Sequence, residues 1–372
     1  MDFSLSEEQA AVVEAAAKLF EGHLSDERRQ EVTAGGEGID RQLWAALAEA
    51  NLLGLAVPEA YGGSGLGFAE LSVLLEEAGR AAAPVPLWAA LVLGALPVVE
   101  FGSEEQKQRL LRPAVTGELV LTAALVEVGT EPEQPLTTAR AVDGGWVLDG
   151  TKICVPAGTL AGTVLVPARV GDAVGVFLVE AASDGVEVSA EMTTTDVPEA
   201  RLELNGVRVG PEAVLGDPEG GKAALAWLRP RATSGLCSLM AGTCQAALKL
   251  TAGYAVTRKQ FDRPIASFQA VGQRAADAYV DTEAVGITAR QAAWRISAGL
   301  PAEEHVAIAK FWAADGGQRV VHAAQHLHGG LGVDRSYPLH RYFLAAKQLE
   351  LTLGGATPNL LRLGALMAEE TV

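Results

Sequence analysis

The stretch TRKQFDRPIASFQAVGQR sets Arg258, Lys259, Arg263 and Arg274 within seventeen residues of a chain whose formal net charge is -17. Guanidinium groups donate in a planar fork and helix N-termini add unpaired N–H groups, so a local cluster of this kind suits a pyrophosphate. A solvated charge run is the plainer reading of the same residues. Further on, HAAQHLHGGLGVD concentrates His322, His326 and His328 ahead of a glycine pair. His322 and His326 stand at i and i+4, yet no carboxylate or thiolate completes the spacing of a metal site. Gly329 and Gly330 suit the end of a helix and the close approach of backbone to a ligand. YGGSGLGF is glycine-rich too, but it follows a helical pattern and not a strand, so it reads as a connector. No G-x-S-x-G, H-E-x-x-H or G-x-x-x-x-G-K-[ST] pattern occurs, which removes the usual support for a hydrolase or an NTPase. The carboxylate of AAKQLELTLGGATPNLLRLG is Glu350, alone in an apolar stretch broken by Gly354 and Gly355.

The elements that must carry these residues follow from periodicity. Ser6 with Gln9 makes a capping-box pattern before AAVVEAAAKLF, and RQLWAALAEANLLG and FAELSVLLEEAGRAAA repeat the helical period. Residues 1–116 therefore read as a helical domain. Over 117–222 the period shortens: LVLTAALVEV, ARAVDGGWVLDG, GTVLVPARV, VGVFLVEA, GVEVSA and ARLELNGVRV are β-type runs punctuated by Asp-Gly, Gly-Gly and Asn-Gly turns. With no βαβ alternation, an antiparallel β domain is expected and a Rossmann sheet is not. Over 223–372 the helical signal returns. Leu236, Met240, Thr243, Ala247, Leu250 and Tyr254 share one helix face, and Val306, Ala309, Ala313, Gly316, Val320 and Ala324 share another lined with small side chains. The fold class is α+β, mostly α: helices, an antiparallel β domain, then a C-terminal four-helix bundle.

At 372 residues and 49% hydrophobic content the chain can build two or three cores. Its acidity argues against nucleic acid or an anionic membrane as partner, since either needs a broad basic face. The start has no basic n-region or apolar h-region, and no uninterrupted apolar run reaches membrane-spanning length. Cys154, Cys237 and Cys244 are an odd number without C-x-x-C spacing, so a reducing compartment is expected, and Cys154 reads as a buried, inert thiol. A cytoplasmic enzyme or enzyme subunit is the class these bounds leave.

Four blocks in chain order, LLGLAVPEAYGGSGLGFAELSVLLEEAGR, FGSEEQKQRLL, RKQFDRPIASFQAVGQRAADAY and HLHGGLGVDRSYPLHRYF, resemble the flavin-dependent acyl-CoA dehydrogenases, from residue 1 to about 365. The resemblance implies α-proton abstraction from an acyl-CoA thioester by a carboxylate, hydride transfer to FAD, and an FAD that lies across a subunit interface. By position in the motif, Arg258, Phe261 and Gln269 match residues that reach a neighbour's pyrophosphate and adenine. His326, Gly329 and Gly330 fall where the family has Gln-x-x-Gly-Gly, with histidine keeping a hydrogen-bonding side chain. The ring-facing half departs from the pattern. Where the family reads Leu-Thr-Glu-Pro and a Gly-Ser-Asp loop, this chain has Leu125-Val126-Glu127-Val128 and GTEPEQP. Where it has Trp-Ile-Thr, KICVPAG places Cys154, Val155 and Pro156. Each lost hydrogen bond costs about 1 kcal/mol, or up to about 3 where a buried atom is left unsatisfied. The usual base is also replaced: the two family positions carry Leu353 and Ala232. Glu350 stands three residues before Leu353, about 4.5 Å of helical rise away, where a base must come within about 3 Å of its proton.

The wording of HLHGGLGVDRSYPLHRYF and LELTLGGA is similar to one branch, the obligate heterotetramers of bacterial steroid side-chain degradation. The resemblance thus implies a non-catalytic subunit, active only in complex with a homologous catalytic acyl-CoA dehydrogenase chain whose FAD it clamps, with an acyl-CoA substrate and an electron-transfer flavoprotein as acceptor. Two alternatives stay open on sequence: a self-sufficient homo-oligomeric dehydrogenase with a displaced base, and a flavin-free scaffold protein.

Overall fold

A computed structural model describes residues 4–195 and 197–369. The first three residues of the expected helical domain and the last three of the expected bundle lie outside the described residues.

The chain opens on α1 (Glu7–His23), where the Ser6 hydroxyl accepts the Gln9 N–H and the Gln9 side chain accepts the Ser6 N–H, the capping box that the sequence marks. Then come α2 (Asp26–Gly35) and α3 (Arg41–Glu49); the Asp40 carboxylate caps α3 and pairs with Arg28 at 2.7 Å. After α4 (Phe68–Ala81), the wholly buried run Trp88–Ala95 winds as a π-helix and passes into α5 (Leu96–Phe101) and α6 (Glu104–Val115). A second capping box, Ser103 with Gln106, starts α6.

Seven strands form one sheet: β1 (Leu121–Ala123), β2 (Thr138–Val142), β3 (Gly145–Pro156), β4 (Thr163–Val170), β5 (Ala173–Glu180), β6 (Val186–Glu191) and β7 (Glu199–Val209). The order is β1-β4-β2-β3-β7-β6, with β5 also on β4. The long ladders β2–β3, β3–β7, β4–β5 and β6–β7 are antiparallel, while β1 runs parallel to β4. Leu148, Val166, Phe177 and Val207 are fully buried at its centre. Two of the expected turns fall inside strands instead. Asp149-Gly150 lies in β3 and Asn205-Gly206 in β7, where the register slips. The Asp149 carboxylate accepts the Gly206 N–H at 2.8 Å, and Gly206 takes φ 65°, so the extra residue becomes a bulge and not a chain reversal.

The closing helices are α7 (Gly221–Thr257), α8 (Gln269–Ser297), α9 (Glu303–His328), α10 (Leu339–Leu351) and α11 (Ala356–Glu369). Between α7 and α8 sits a two-stranded hairpin, β8 (Lys259–Gln260) and β9 (Arg263–Pro264).

Compactness groups these elements into two units. One gathers the chain through residue 24, 68–83 and 233 onward; the other gathers 25–67 and 84–232. In the first, α4 and α7 cross through glycines: a Cβ on Gly79 would lie 2.0 Å from the Leu239 carbonyl oxygen, and one on Gly242 1.8 Å from that of Glu76. The small-residue face of α9, Val306 through Ala324, is buried along its length, and Arg319 of α9 pairs with Asp281 of α8 at 2.6 Å. In the second, the absence of a side chain on Gly94 lets the π-helix lie on Leu121 of β1, 2.4 Å from where a Cβ would stand. Among the described residues no helix is long and apolar enough to cross a membrane.

Candidate functional site

The basic cluster folds as the β8–β9 hairpin. Its two-residue turn is Phe261-Asp262, both in the left-handed region with φ 52° and 62°. That conformation costs an L-residue about 1–2 kcal/mol, and a bulky aromatic is among the residues least suited to it. The strain holds a ring in the open: Phe261 is 88% exposed, touching Phe268 edge-on at 6.2 Å. The Arg263 guanidinium lies over Phe268 at 4.2 Å, stiffening the base of the hairpin. Arg258 and Gln269 flank the hairpin and are exposed, as are Lys259 and Arg274. Among the described residues the Arg258 guanidinium has no ion-pair or hydrogen-bond partner, so its charge is free for a ligand from outside the chain. Gln269 is the first residue of α8, whose start has no side-chain cap.

The second group stands at the end of α9. His326 is exposed, and its carbonyl accepts the Gly329 N–H; Gly329 takes φ 61° and ends the helix. Nothing lies within 4 Å of where a Cβ would stand on Gly329 or Gly330, so both present bare backbone. His322 is exposed and packs on Phe343 at 5.0 Å. His328 is turned inward. Its ring stacks on Tyr254 of α7 at 4.3 Å, so the ends of α7 and α9 that carry Arg258 and Gly329 are joined by aromatic contact. From the sequence, Tyr254 reads only as part of a helix face, and Tyr337 is not singled out.

The ring-facing candidates lie in the other compact unit, along β3. Val126 bridges to Ile153 and offers no side-chain donor. Cys154 is exposed, which corrects the expectation of a buried thiol, and takes φ 49°. Its N–H donates to Glu191 at 2.6 Å. Desolvation raises its thiol above the usual cysteine range, and Glu191 and Glu199 raise it further, so it stays protonated. Cys154 Sγ and the oxygens of these two carboxylates lie within 4.8 Å of one another. Val155 is buried and Pro156 has no N–H. The loop GTEPEQP is tied down by Arg229, which pairs with Glu131 and Glu133, each at 3.1 Å. Below it, Lys152 and Glu127 form a buried pair at 2.5 Å, and the Glu127 carboxylate also accepts the Leu136 and Thr137 N–H groups.

The two residues that the resemblance sets at the base positions are apolar and structured. Ala232 is fully buried within α7, its carbonyl accepting the Trp88 indole N–H at 2.9 Å. Leu353 sits in a left-handed turn, φ 56°, because α10 ends at Leu351; helical rise therefore does not measure its distance from Glu350. The Glu350 carboxylate is held by Lys347 Nζ at 2.5 Å. Buried Lys310 donates to the Leu349 and Glu350 carbonyls at 2.5 and 3.2 Å and caps the helix; burial pushes its pKa down to about 8.

For a dinucleotide such as FAD the fit is split. An unspent guanidinium, an exposed aromatic ring and bare glycine backbone suit the phosphates and adenine. The C-terminal end of β3, with its Cys154 N–H already used and no hydroxyl at Val126 or Pro156, does not suit the flavin ring.

Comparison with known proteins bears on the whole chain. Residues 6–118 match the family model described as acyl-CoA dehydrogenase, N-terminal domain, and 225–363 match the acyl-CoA dehydrogenase, C-terminal domain. The acyl-CoA dehydrogenase FadE27 of Mycobacterium tuberculosis is 40% identical, covering 99% of both chains. A solved steroid acyl-CoA dehydrogenase, Tcur3481–Tcur3483, is 42% identical at TM-score 0.92, and the ChsE4–ChsE5 complex from Mycobacterium tuberculosis is 40% identical at TM-score 0.92, each covering 99% of both chains.

Proposed function

The chain belongs to the acyl-CoA dehydrogenase family, and we propose that it works there as the non-catalytic half of a mixed complex, gripping the FAD of a catalytic partner. The observation that carries this reading is the unspent Arg258 beside the strained, exposed Phe261, in contrast to the C-terminal end of β3, where the Cys154 N–H is already taken by Glu191. Arg258 would neutralise pyrophosphate charge, Phe261 would cover the adenine end, and Gln269, His326, Gly329 and Gly330 would supply hydrogen bonds and close backbone approach. When bound, FAD supplies the hydride acceptor for α,β-desaturation. With Leu353 and Ala232 at the family's base positions and Glu350 engaged by Lys347, this chain contributes no proton acceptor, and the partner's carboxylate does that work.

Relatives named as a steroid dehydrogenase and as a two-protein complex support a heteromeric assembly acting on a bulky, steroid-like acyl-CoA. On this reading the complex has two chains of each kind, passes electrons to an electron-transfer flavoprotein and works in the cytoplasm; three free thiols suit a reducing compartment. Co-expression with the neighbouring dehydrogenase gene, followed by a flavin count, tests it. One FAD per mixed pair, and none on this chain alone, is the expected result. One FAD per copy of the lone chain, bleached by an acyl-CoA, would show a self-sufficient enzyme instead, and no FAD in any combination a scaffold.

A further inference from the structure

His328 lies outside the clamp residues yet sits behind them. It is 3% exposed. Its Nδ1 is 2.8 Å from the Ala324 carbonyl, which can only accept, so Nδ1 carries the proton and Nε2 accepts from the Tyr337 hydroxyl at 3.2 Å. Its face is stacked on Tyr254 with the planes 21° apart, and Tyr254 meets Tyr337 edge-on at 6.5 Å. Three segments therefore converge on one imidazole: the end of α7 that leads into Arg258, the end of α9 that leads into Gly329, and the strap before α10.

We propose that His328 is a positioning residue for the nucleotide clamp, its neutral ring locking the Arg258 end of α7 to the Gly329–Gly330 turn, so that protonating it loosens the hold on FAD. This rests on the clamp reading given above. The groups facing the ring are the Tyr254 phenol from α7, the Tyr337 hydroxyl from the strap and the Ala324 carbonyl of its own helix, and none of them is charged at neutral pH. A proton on Nε2 would leave a cation buried without a counter-charge and would turn the Tyr337 contact from acceptor to donor. Burial holds the His328 pKa below the usual 6.5, with the Ala324 hydrogen bond opposing. A histidine depressed in the folded state contributes order that is complete above 6.5 and lost as pH falls through its folded value.

The test uses the mixed complex and reads its FAD affinity by flavin fluorescence from neutral pH down through the histidine range. The parent complex should weaken on acidification. His328→Phe keeps the stack but loses both hydrogen bonds and the titration. It should bind FAD about tenfold more weakly at neutral pH, the equivalent of roughly one hydrogen bond, and lack the acid step. Tyr337→Phe, which removes a single hydroxyl, should be weaker at neutral pH too. If both variants match the parent in affinity and in acid profile while Arg258→Ala loses FAD at every pH, the role of His328 falls and the clamp stands. If Arg258→Ala binds FAD like the parent, the clamp reading falls and takes this inference with it.

Discussion

At the scale of single residues, the most informative side chains are those whose bonding is already complete. Lys152 is fully buried and donates both to Glu127, at 2.5 Å, and to the Pro167 carbonyl, at 2.8 Å. Burial by itself would raise the Glu127 pKa; the hydrogen bond and charge of Lys152 outweigh it and hold the carboxylate below its usual value. Since a buried pair broken on one side leaves an uncompensated charge, Lys152→Met should cost about 3–5 kcal/mol in urea unfolding. A carboxylate depressed in the folded state contributes stability above its ordinary value of 4.5 that is lost as pH falls through the folded one. The parent should therefore lose more stability than Lys152→Met between mildly and strongly acidic buffer. An acid limb of equal steepness in the two proteins would contradict this account.

At the scale of elements, helix crossings are set by what is missing. Gly242→Val puts its first carbon on the Glu76 carbonyl of α4, and backbone cannot swing aside as a long side chain can. The loss should exceed the about 1–3 kcal/mol of ordinary overpacking. Gly253, in the same helix with nothing near its Cβ position, is the control, and Gly253→Ala should gain about 0.5–1 kcal/mol. The apolar stepping of α7 and α9 and the Ser6–Gln9 box were readable from sequence because 3.6-residue periodicity and capping are local. The bulge between β3 and β7 was not, since Asn205-Gly206 signals a turn unless a distant carboxylate, Asp149, claims the glycine N–H. Nor was the exposure of Cys154, which depends on where β3 lies beside Glu191. The candidate clamp residues are named from a motif, whereas the stacking of Tyr254 on His328, which we propose steadies them, joins residues 74 positions apart and leaves no local signal.

At the scale of the whole molecule, chain order and compactness disagree. α1 and α4 belong with the C-terminal helices, although more than two hundred residues separate α1 from most of them. A fragment beginning at Thr233 would lack the helix that α7 crosses at Gly242. It should show helical far-UV dichroism with weak near-UV signal and dye binding, the signs of a loosely packed core. A sharp, cooperative melt from that fragment would mean the bundle is complete without α1 and α4. The hairpin has a consequence for the cell as well. Its aromatic tip already stands outward on a two-residue turn, so docking by the proposed partner would cost little to order it, and a copy without that partner would leave it bare. On the proposed reading, synthesis matched in amount to that of the partner, as from one transcript, suits such a surface, and unpartnered copies should be the first molecules a quality-control protease removes.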